Sequence, residues 1–290
     1  MEIIKVPATS ANLGPGFDSL GIAVNVYLTV TIAEQTANWV VEHQLGSDVP
    51  TDERNMIVQT ALSLVPNLTP HRIIVDSDIP LARGLGSSSS AIVAGLEIAN
   101  IIGKLDMDKE TLLQKATYLE GHPDNVAPAI LGDFVVSAYV SGHVTSVKGR
   151  FPELEMLAYI PKYELPTSKS REALPKELPF KEAVAAGSIG NALVASLLTE
   201  RFDEAGRLME ADRYHEIYRA ALVPHLATLR EIGHHVGAMA TYLSGAGPTV
   251  MTIVDKKKVP EFIRIAREAW LDGDFRQLNV DRNGVVVEKK

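Results

Sequence analysis

One segment of glycine and serine between two apolar stretches constrains this chain more than any other feature. It reads Pro80-Leu81-Ala82-Arg83-Gly84-Leu85-Gly86-Ser87-Ser88-Ser89-Ser90. Residues 72–75 before it have the β-branched composition of a strand, and residues 91–105 after it have the apolar spacing of a helix. A flexible linker would not be flanked so closely by core elements, so we predict a structured loop that opens a helix.

The loop has the chemistry of an anion site. Gly84 and Gly86 allow the backbone to turn tightly and lie close to a ligand. Successive serines at a helix start offer hydroxyl and amide donors where the macrodipole is positive, which suits a nucleotide phosphate. The loop lacks the Walker A lysine, and Ser89 stands at the third glycine of G-x-G-x-x-G. A solvated serine-rich linker followed by a helix cap is the alternative.

A second polar segment follows the helix predicted for residues 108–120. It reads Glu120-Gly121-His122-Pro123-Asp124-Asn125. Two functional hypotheses compete, a hard-cation site that uses Glu120 with water and phosphate oxygens, and a polar patch for a small hydroxylated substrate. A capped helix end with Asx turns would explain the same residues without any function.

Two more glycine-rich segments lie near the ends of the chain. They are Thr9-Ser10-Ala11-Asn12-Leu13-Gly14-Pro15-Gly16-Phe17-Asp18 and Ser244-Gly245-Ala246-Gly247-Pro248-Thr249. Asparagine and aspartate in a Gly/Pro loop are ordinarily turn formers, and a tight glycine turn before a strand is often only structural. Alone, neither segment indicates a function.

Composition limits the class of protein. At 290 residues the chain is long enough for two domains, and mixed strands and helix pairs without regular βαβ repetition favour an α+β fold. The residue pattern predicts strands at residues 134–140 and 156–160, helices at 180–198 and 202–209, and loops at 8–21 and 161–179. A net charge of −8 (28 basic, 36 acidic residues) gives no general attraction for nucleic acid. With no cysteine, no leader-like start and no membrane span, we expect a soluble cytoplasmic protein.

In their order, the four segments resemble the GHMP family of small-molecule kinases. The motifs are P-A-T-S-A-N-L-G-P-G-F-D, P-x-x-x-G-L-G-S-S-S, H-x-D-N-V-A-P and S-G-A-G-P-T. The first and third are similar to the homoserine kinase branch. The resemblance implies an N-terminal ATP-binding domain like the second domain of ribosomal protein S5 (residues 1–153) and a ferredoxin-like C-terminal domain (154–290), with the site between them. It also implies ATP, Mg²⁺ and phosphorylation of the L-homoserine hydroxyl in threonine biosynthesis.

The same resemblance assigns roles to residues. The loop from Pro80 to Ser90 would hold the nucleotide, and Ser88 with Glu120 would place Mg²⁺. In this resemblance Asp18 would bind the ammonium group of the substrate, and Arg171 and Arg219 would bind its carboxylate. The full set of substrate-binding residues is Asn12, Asp18, Thr167, Arg171 and Arg219. The reacting end would be formed by Asn125 and His122, supported by Asp124. No carboxylate is clearly assigned as a general base.

Several points stay open in the sequence. A sister kinase acting on mevalonate or a sugar is one alternative, and a catalytically silent sensor is another. The combination of Arg171, Arg219 and Asp18 favours an amino acid as the phosphoryl acceptor, because a sugar has no ammonium and carboxylate groups for these charges to bind. Arg83 could touch ATP or point to solvent, Ile217 replaces a proline common in the family, and Glu120 precedes His122 by only two positions. The expectation that the protein forms a homodimer comes from the family resemblance alone.

Overall fold

Two β-sheets with helices packed against them form the computed structural model, which describes residues 1–289. The strands, in chain order, are β1 (Glu2–Ala11), β2 (Leu20–Gln35), β3 (Val40–Glu42), β4 (His71–Ser77), β5 (Phe134–Val140), β6 (His143–Gly149), β7 (Met156–Ile160), β8 (Ala240–Leu243), β9 (Val250–Ile253), β10 (Asp274–Leu278) and β11 (Val286–Lys289). The helices are α1 (Met56–Leu64), α2 (Ser87–Gly103), α3 (Lys109–Glu120), α4 (Val126–Leu131), α5 (Thr167–Glu172), α6 (Phe180–Leu198), α7 (Phe202–Met209), α8 (Glu216–Arg219), α9 (His225–Val236) and α10 (Val259–Glu268).

The first sheet has the order β11-β1-β2-β4-β3, with β5 on β2 and β6 on β5. Its pairs are antiparallel except β3 with β4. The second sheet has the antiparallel order β10-β7-β9-β8. The strand β2 organises the first sheet because Val30 lies opposite both Ile4 of β1 and Val75 of β4, and all three side chains are buried.

The core extends across both sheets. Strand side chains such as Ile22 and Met251 belong to one apolar cluster, together with Leu96 and neighbouring residues of the largely buried α2. A smaller cluster packs α9 and α10 against the second sheet, around Leu229 and Phe262. The start of α2 therefore projects from a rigid core, which fixes the glycine- and serine-rich loop before it.

Most predicted elements are confirmed. The bounds of β5, β7, α6 and α7 agree with those expected from apolar spacing. The loop expected from Ala8 to Gly21 was wrong at both ends, because Ala8–Ala11 stays in β1 and pairs with the start of β2. The loop expected between Pro161 and Pro179 contains α5. The strands β6, β8 and β10 and the helices α4 and α8 were not predicted.

The last strand returns to the first sheet. In β11, Val287 lies opposite Ile4 of β1, and Asn279 accepts a backbone hydrogen bond from Asn25 on the way there. The division at residues 153 and 154 stays a prediction. Within residues 1–289, no helix has both the length and the apolar character needed to cross a membrane.

Candidate active site

A cavity of about 210 Å³ brings together residues from all four glycine-rich or polar segments. Of the predicted site residues, those on its wall are Asn12, Asp18, Ala82, Gly84, Gly86, Ser87, Ser88, Ser89, Glu120, His122, Asp124, Asn125, Thr167, Arg171 and Arg219. Gly245 and Ala246 of the late glycine turn also line it. The ends of β1, α3 and α8 and the beginnings of α2, α4 and α5 therefore meet around one space.

The loop before α2 depends on two glycines. Gly84 and Gly86 have φ angles of 73° and 71°. A Cβ atom on Gly84 would lie 2.4 Å from the carbonyl oxygen of Ser244, and one on Gly86 would lie 2.2 Å from Oγ1 of Thr9. The Ser244 hydroxyl also donates to the carbonyl of Gly84. The late glycine turn therefore packs against the loop and holds its backbone through a hydrogen bond.

Part of the loop faces away from the cavity. Leu85 is buried, and the Ser90 hydroxyl donates to the carbonyls of Gly86 and Pro7. Arg83 neither reaches the cavity nor points freely to solvent, because its guanidinium donates to the carbonyls of Pro161 and Lys162 and pairs with Glu164. Pro80 and Leu81 also lie off the cavity wall.

The loop serines differ in their partners. The Ser89 hydroxyl donates to Oε1 of Glu120 at 2.8 Å, across 31 residues of sequence. The Ser88 hydroxyl instead lies 3.7 Å from Sδ of Met56. The sequence expectation paired Ser88 with Glu120, whereas the contact in the structure joins Ser89 to that carboxylate. The side chains of Ser88, Ser89 and Glu120 all lie on the cavity wall.

The charged end of the cavity contains one carboxylate and two guanidinium groups. Arg171 donates from Nη2 and Nη1 to the two carboxylate oxygens of Asp18, at 2.7 and 3.1 Å. Asp18 has a φ of 54°, and Asn12 holds this turn by accepting from the Asp18 amide at 3.1 Å. The amide of Asn12 in turn donates to the carbonyl of Gly245.

Arg219 is the buried member of this group, with 2% of its surface exposed. Its Nε donates to the carbonyl of Ser170, and its Nη1 donates to the carbonyl of Gly245 and to Nδ1 of His215. Burial and, next, the charge of Arg171 lower the pKa of Arg219 from 12.5 to about 10. An anion in the cavity would counteract both effects, because its negative charge stabilises the charged guanidinium.

Next to this charged group lies a hydrogen-bonded polar cluster, and one side-chain polar atom each of Asp18, His122 and Asp124 lie within 4.8 Å of one another. Asp124 is buried and accepts from Nδ1 of His122 and, at 3.4 Å, from the amide nitrogen of Asn125. Because a carboxylate only accepts, Nδ1 of His122 carries the proton. Burial by itself lowers the pKa of His122, but the hydrogen bond and charge of Asp124 outweigh burial, and the net pKa is raised.

Known proteins match the chain along its whole length. The model of the GHMP kinase N-terminal domain matches residues 55–133, and that of the GHMP kinase C-terminal domain matches residues 193–272. These two segments cover more than half of the chain. The chain belongs to the GHMP kinase family. Its α+β two-domain fold is confirmed, and membership in this kinase family implies ATP as the phosphoryl donor.

Individual GHMP kinases are more closely similar. A homoserine kinase of Streptococcus pneumoniae is 51% identical over 290 residues, covering 100% of both chains. A homoserine kinase of Lactococcus lactis is 50% identical over 294 residues, covering 100% of this chain and 99% of that one. A solved structure from Listeria monocytogenes, provisionally described as a homoserine kinase, is 44% identical with a TM-score of 0.88 and full coverage of both chains.

Sequence reasoning assigned no role to Phe17 or Thr9, although both contact residues of this GHMP kinase site. Phe17 lies between the arginines, with its ring centre 5.6 Å from the Arg171 guanidinium and 5.4 Å from that of Arg219, and it stacks on His215 at 5.4 Å. Each cation over a ring face gains a favourable electrostatic contact. The other is Thr9, whose hydroxyl contacts Asn125. Both belong to a motif that was quoted, but only the fold shows what their side chains touch.

A second cavity adjoins the first. It has a volume of about 330 Å³ and is lined largely by apolar side chains, among them Leu28, Leu45, Val75 and Ile79. Ser87 and Ser88 line both cavities. The first turn of α2 therefore lies where an apolar space and a polar, charged space meet.

Proposed function

We propose that this GHMP kinase is a homoserine kinase, which transfers the γ-phosphoryl group of ATP to the side-chain hydroxyl of L-homoserine. The products would be ADP and O-phospho-L-homoserine, in the biosynthesis of threonine. Two full-length relatives at about 50% identity bear this name. The observation that carries the proposal is the placement of Asp18, Arg171 and Arg219 on the same cavity as the loop serines.

The charged end of the cavity fits a zwitterion. Asp18 would receive the ammonium group, and Arg171 and Arg219 would receive the carboxylate, since a planar guanidinium can bind a carboxylate through two parallel hydrogen bonds. Asn12 holds Asp18 in place, and Thr167 lies on the wall at the start of α5. A neutral alcohol or sugar has no charged group to exchange for either partner of the ion pair between Asp18 and Arg171.

The two cavities fit a nucleotide. The apolar cavity is suited to the adenine ring. The cavity-facing part of the Pro80–Ser90 loop would hold the phosphates with backbone amides and with the hydroxyls of Ser87, Ser88 and Ser89 at the start of α2. Ser87 and Ser88, shared by both cavities, would lie near the junction of nucleoside and phosphates. The γ-phosphoryl group would then extend toward Asn125.

The loop also fits a magnesium ion. Glu120 supplies one carboxylate, and the hydroxyls of Ser88 and Ser89 lie on the same wall. One or two carboxylates are enough, because Mg²⁺ usually keeps waters and phosphate oxygens as its other ligands. When bound, the ion would offset negative charge on the phosphates.

The reaction joins the acceptor oxygen to the γ-phosphorus as the bond from that phosphorus to the β–γ bridging oxygen breaks. Asn125 and His122 would place the hydroxyl, and Asp124 would support both through its hydrogen bonds. In a loose transition state the hydroxyl proton leaves late, so alignment and charge stabilisation can supply most of the rate. The proton would pass, after the new O–P bond has begun to form, to an oxygen of the transferred phosphoryl group or to water, so no general base is needed in this account.

A coupled assay of ADP release tests the proposal against its alternatives. We expect turnover with L-homoserine and background rates with mevalonate, galactose or no acceptor. Turnover with another alcohol and none with homoserine would support a sister kinase, and ATP binding without any turnover would support a sensor. The homodimer stays a prediction from the family, which light scattering on the purified protein would test.

A further inference from the structure

We infer that Thr9 is a positioning residue for phosphoryl transfer, and that it acts by fixing the side-chain amide of Asn125 against the phosphate loop. The inference rests on the proposed function, because that function gives Asn125 its place beside the acceptor hydroxyl. Thr9 belongs to β1, and Asn125 is 116 positions away, just before α4.

The contact is direct and shielded from water. The Thr9 hydroxyl donates to Oδ1 of Asn125 at 2.8 Å, and Thr9 is completely buried. Asn125 lines the cavity, whereas Thr9 does not. Thr9 therefore cannot touch a substrate in the cavity and would influence the reaction through Asn125.

Two neighbours together determine which way the amide of Asn125 faces. Its nitrogen lies 3.4 Å from Oδ1 of Asp124, which only accepts hydrogen bonds when ionised. Its oxygen is then left to face the hydroxyl donor of Thr9. Without the Thr9 hydroxyl, one end of the amide loses its partner, and a turned amide would present the opposite hydrogen-bonding group to the acceptor hydroxyl.

Thr9 is also fixed to the phosphate loop. Its backbone amide donates to the carbonyl of Leu85 at 3.1 Å. A Cβ atom on Gly86 would lie 2.2 Å from the Thr9 hydroxyl and 3.1 Å from Oδ1 of Asn125, so the loop backbone packs directly on this hydrogen bond. Thr9 thus sets the spacing between the loop that would hold the phosphates and the amide that would hold the nucleophile.

The first test compares the near-isosteric variant Thr9→Val with Thr9→Ser and with a matched control. We expect Thr9→Val to lower kcat roughly tenfold or more, with both KM values within about twofold, because misplacing a reacting group mainly affects the transition state. Thr9→Ser retains the hydroxyl and should recover most of the rate. Thr117→Val makes the same change at a fully buried hydroxyl with no hydrogen-bond partner among residues 1–289, and should leave kcat unchanged.

A second test asks whether the effect passes through Asn125. In the Asn125→Ala background, Thr9→Val should cause no further loss, because the group it positions is gone. An equal loss in both backgrounds would overturn the inference, as would a wild-type kcat for Thr9→Val.

A third readout does not depend on the acceptor. The side-chain amide signals of Asn125, assigned by their absence in Asn125→Ala, should shift and broaden in Thr9→Val but not in Thr117→Val. If wild-type protein fails to use homoserine while these signals change, the proposed function fails and the positioning by Thr9 stands. Unchanged signals would contradict the positioning whatever the acceptor is.

Discussion

Arg171 and Asp18 form a two-point ion pair across the candidate site, although 153 positions separate them in the sequence. About a third of each side chain is exposed, so the pair adds little to folding stability. Its position at the cavity suggests another use. A zwitterionic substrate can separate the pair, with its ammonium group binding Asp18 and its carboxylate binding Arg171.

The two arginines should bind the substrate but contribute little to nucleotide binding. We expect Arg171→Met and Arg219→Met each to raise KM for homoserine about 10- to 100-fold, because each removes a charged hydrogen bond of about 1.5–3 kcal/mol. KM for ATP should stay within about twofold. Thermal unfolding with and without homoserine is the check: at one fixed ligand concentration, Tm of the wild type should rise more than Tm of either variant. A full shift in Arg219→Met would show that the buried guanidinium does not bind this substrate.

Much of the site was predictable from residue types in sequence. Gly84, Gly86 and the serines after them indicate a loop at a helix start, and Arg171 and Arg219 entered through motif resemblance. The sequence did not distinguish Ser88 from Ser89 at Glu120, because the direction of each side chain depends on how α2 is rotated against α3.

Contacts between distant segments were beyond sequence reasoning. Phe17 looked like part of an ordinary turn, yet its ring contacts both guanidinium groups. The short strand β10 was missed because its hydrogen-bonding partner, β7, lies far earlier in the chain. The return of β11 to the first sheet likewise depends on pairing across nearly the whole sequence.

The phosphate loop should not tolerate a side chain at Gly86. In Gly86→Ala, the new Cβ would overlap Thr9 and approach Asn125, in addition to the cost of a positive φ. We expect ATP-dependent turnover to fall at least a hundredfold and Tm to drop. Gly142→Ala is the control, because Gly142 has a φ of 78° but no atom within 4 Å of an added Cβ. It should lose about 1–2 kcal/mol of stability, the cost of a side chain in the left-handed region, and retain activity. Equal effects of the two substitutions would mean that strain alone explains the loss.

Asn125 and Asp124 should behave differently if no general base operates. We expect Asn125→Ala to lower turnover strongly, with homoserine binding retained in calorimetry. Asp124→Asn should lower turnover less, because the amide oxygen can still accept from His122 and Asn125. Abolished turnover in Asp124→Asn with homoserine binding intact would identify this carboxylate as a base and contradict the base-free account.

The ion pair of His122 with Asp124 should make stability depend on pH. Burial opposes the charged imidazole, but the hydrogen bond and charge of Asp124 leave the folded-state pKa above the ordinary 6.5. The stabilisation is therefore complete below pH 6.5 and lost as pH rises through the folded-state pKa. Urea unfolding should show a free-energy difference between wild type and His122→Gln that shrinks with rising pH. A difference that grows with pH would mean that His122 is neutral when folded.

Recognition of a zwitterion beside the phosphate loop is tested most directly by removing one charge from the substrate. The compound 4-hydroxybutanoate keeps the hydroxyl and carboxylate of homoserine but lacks the ammonium group. We predict that wild-type protein prefers L-homoserine by at least tenfold in kcat/KM, and that Asp18→Asn loses most of this preference. Equal use of both compounds by the wild type, or an undiminished preference in Asp18→Asn, would contradict the account.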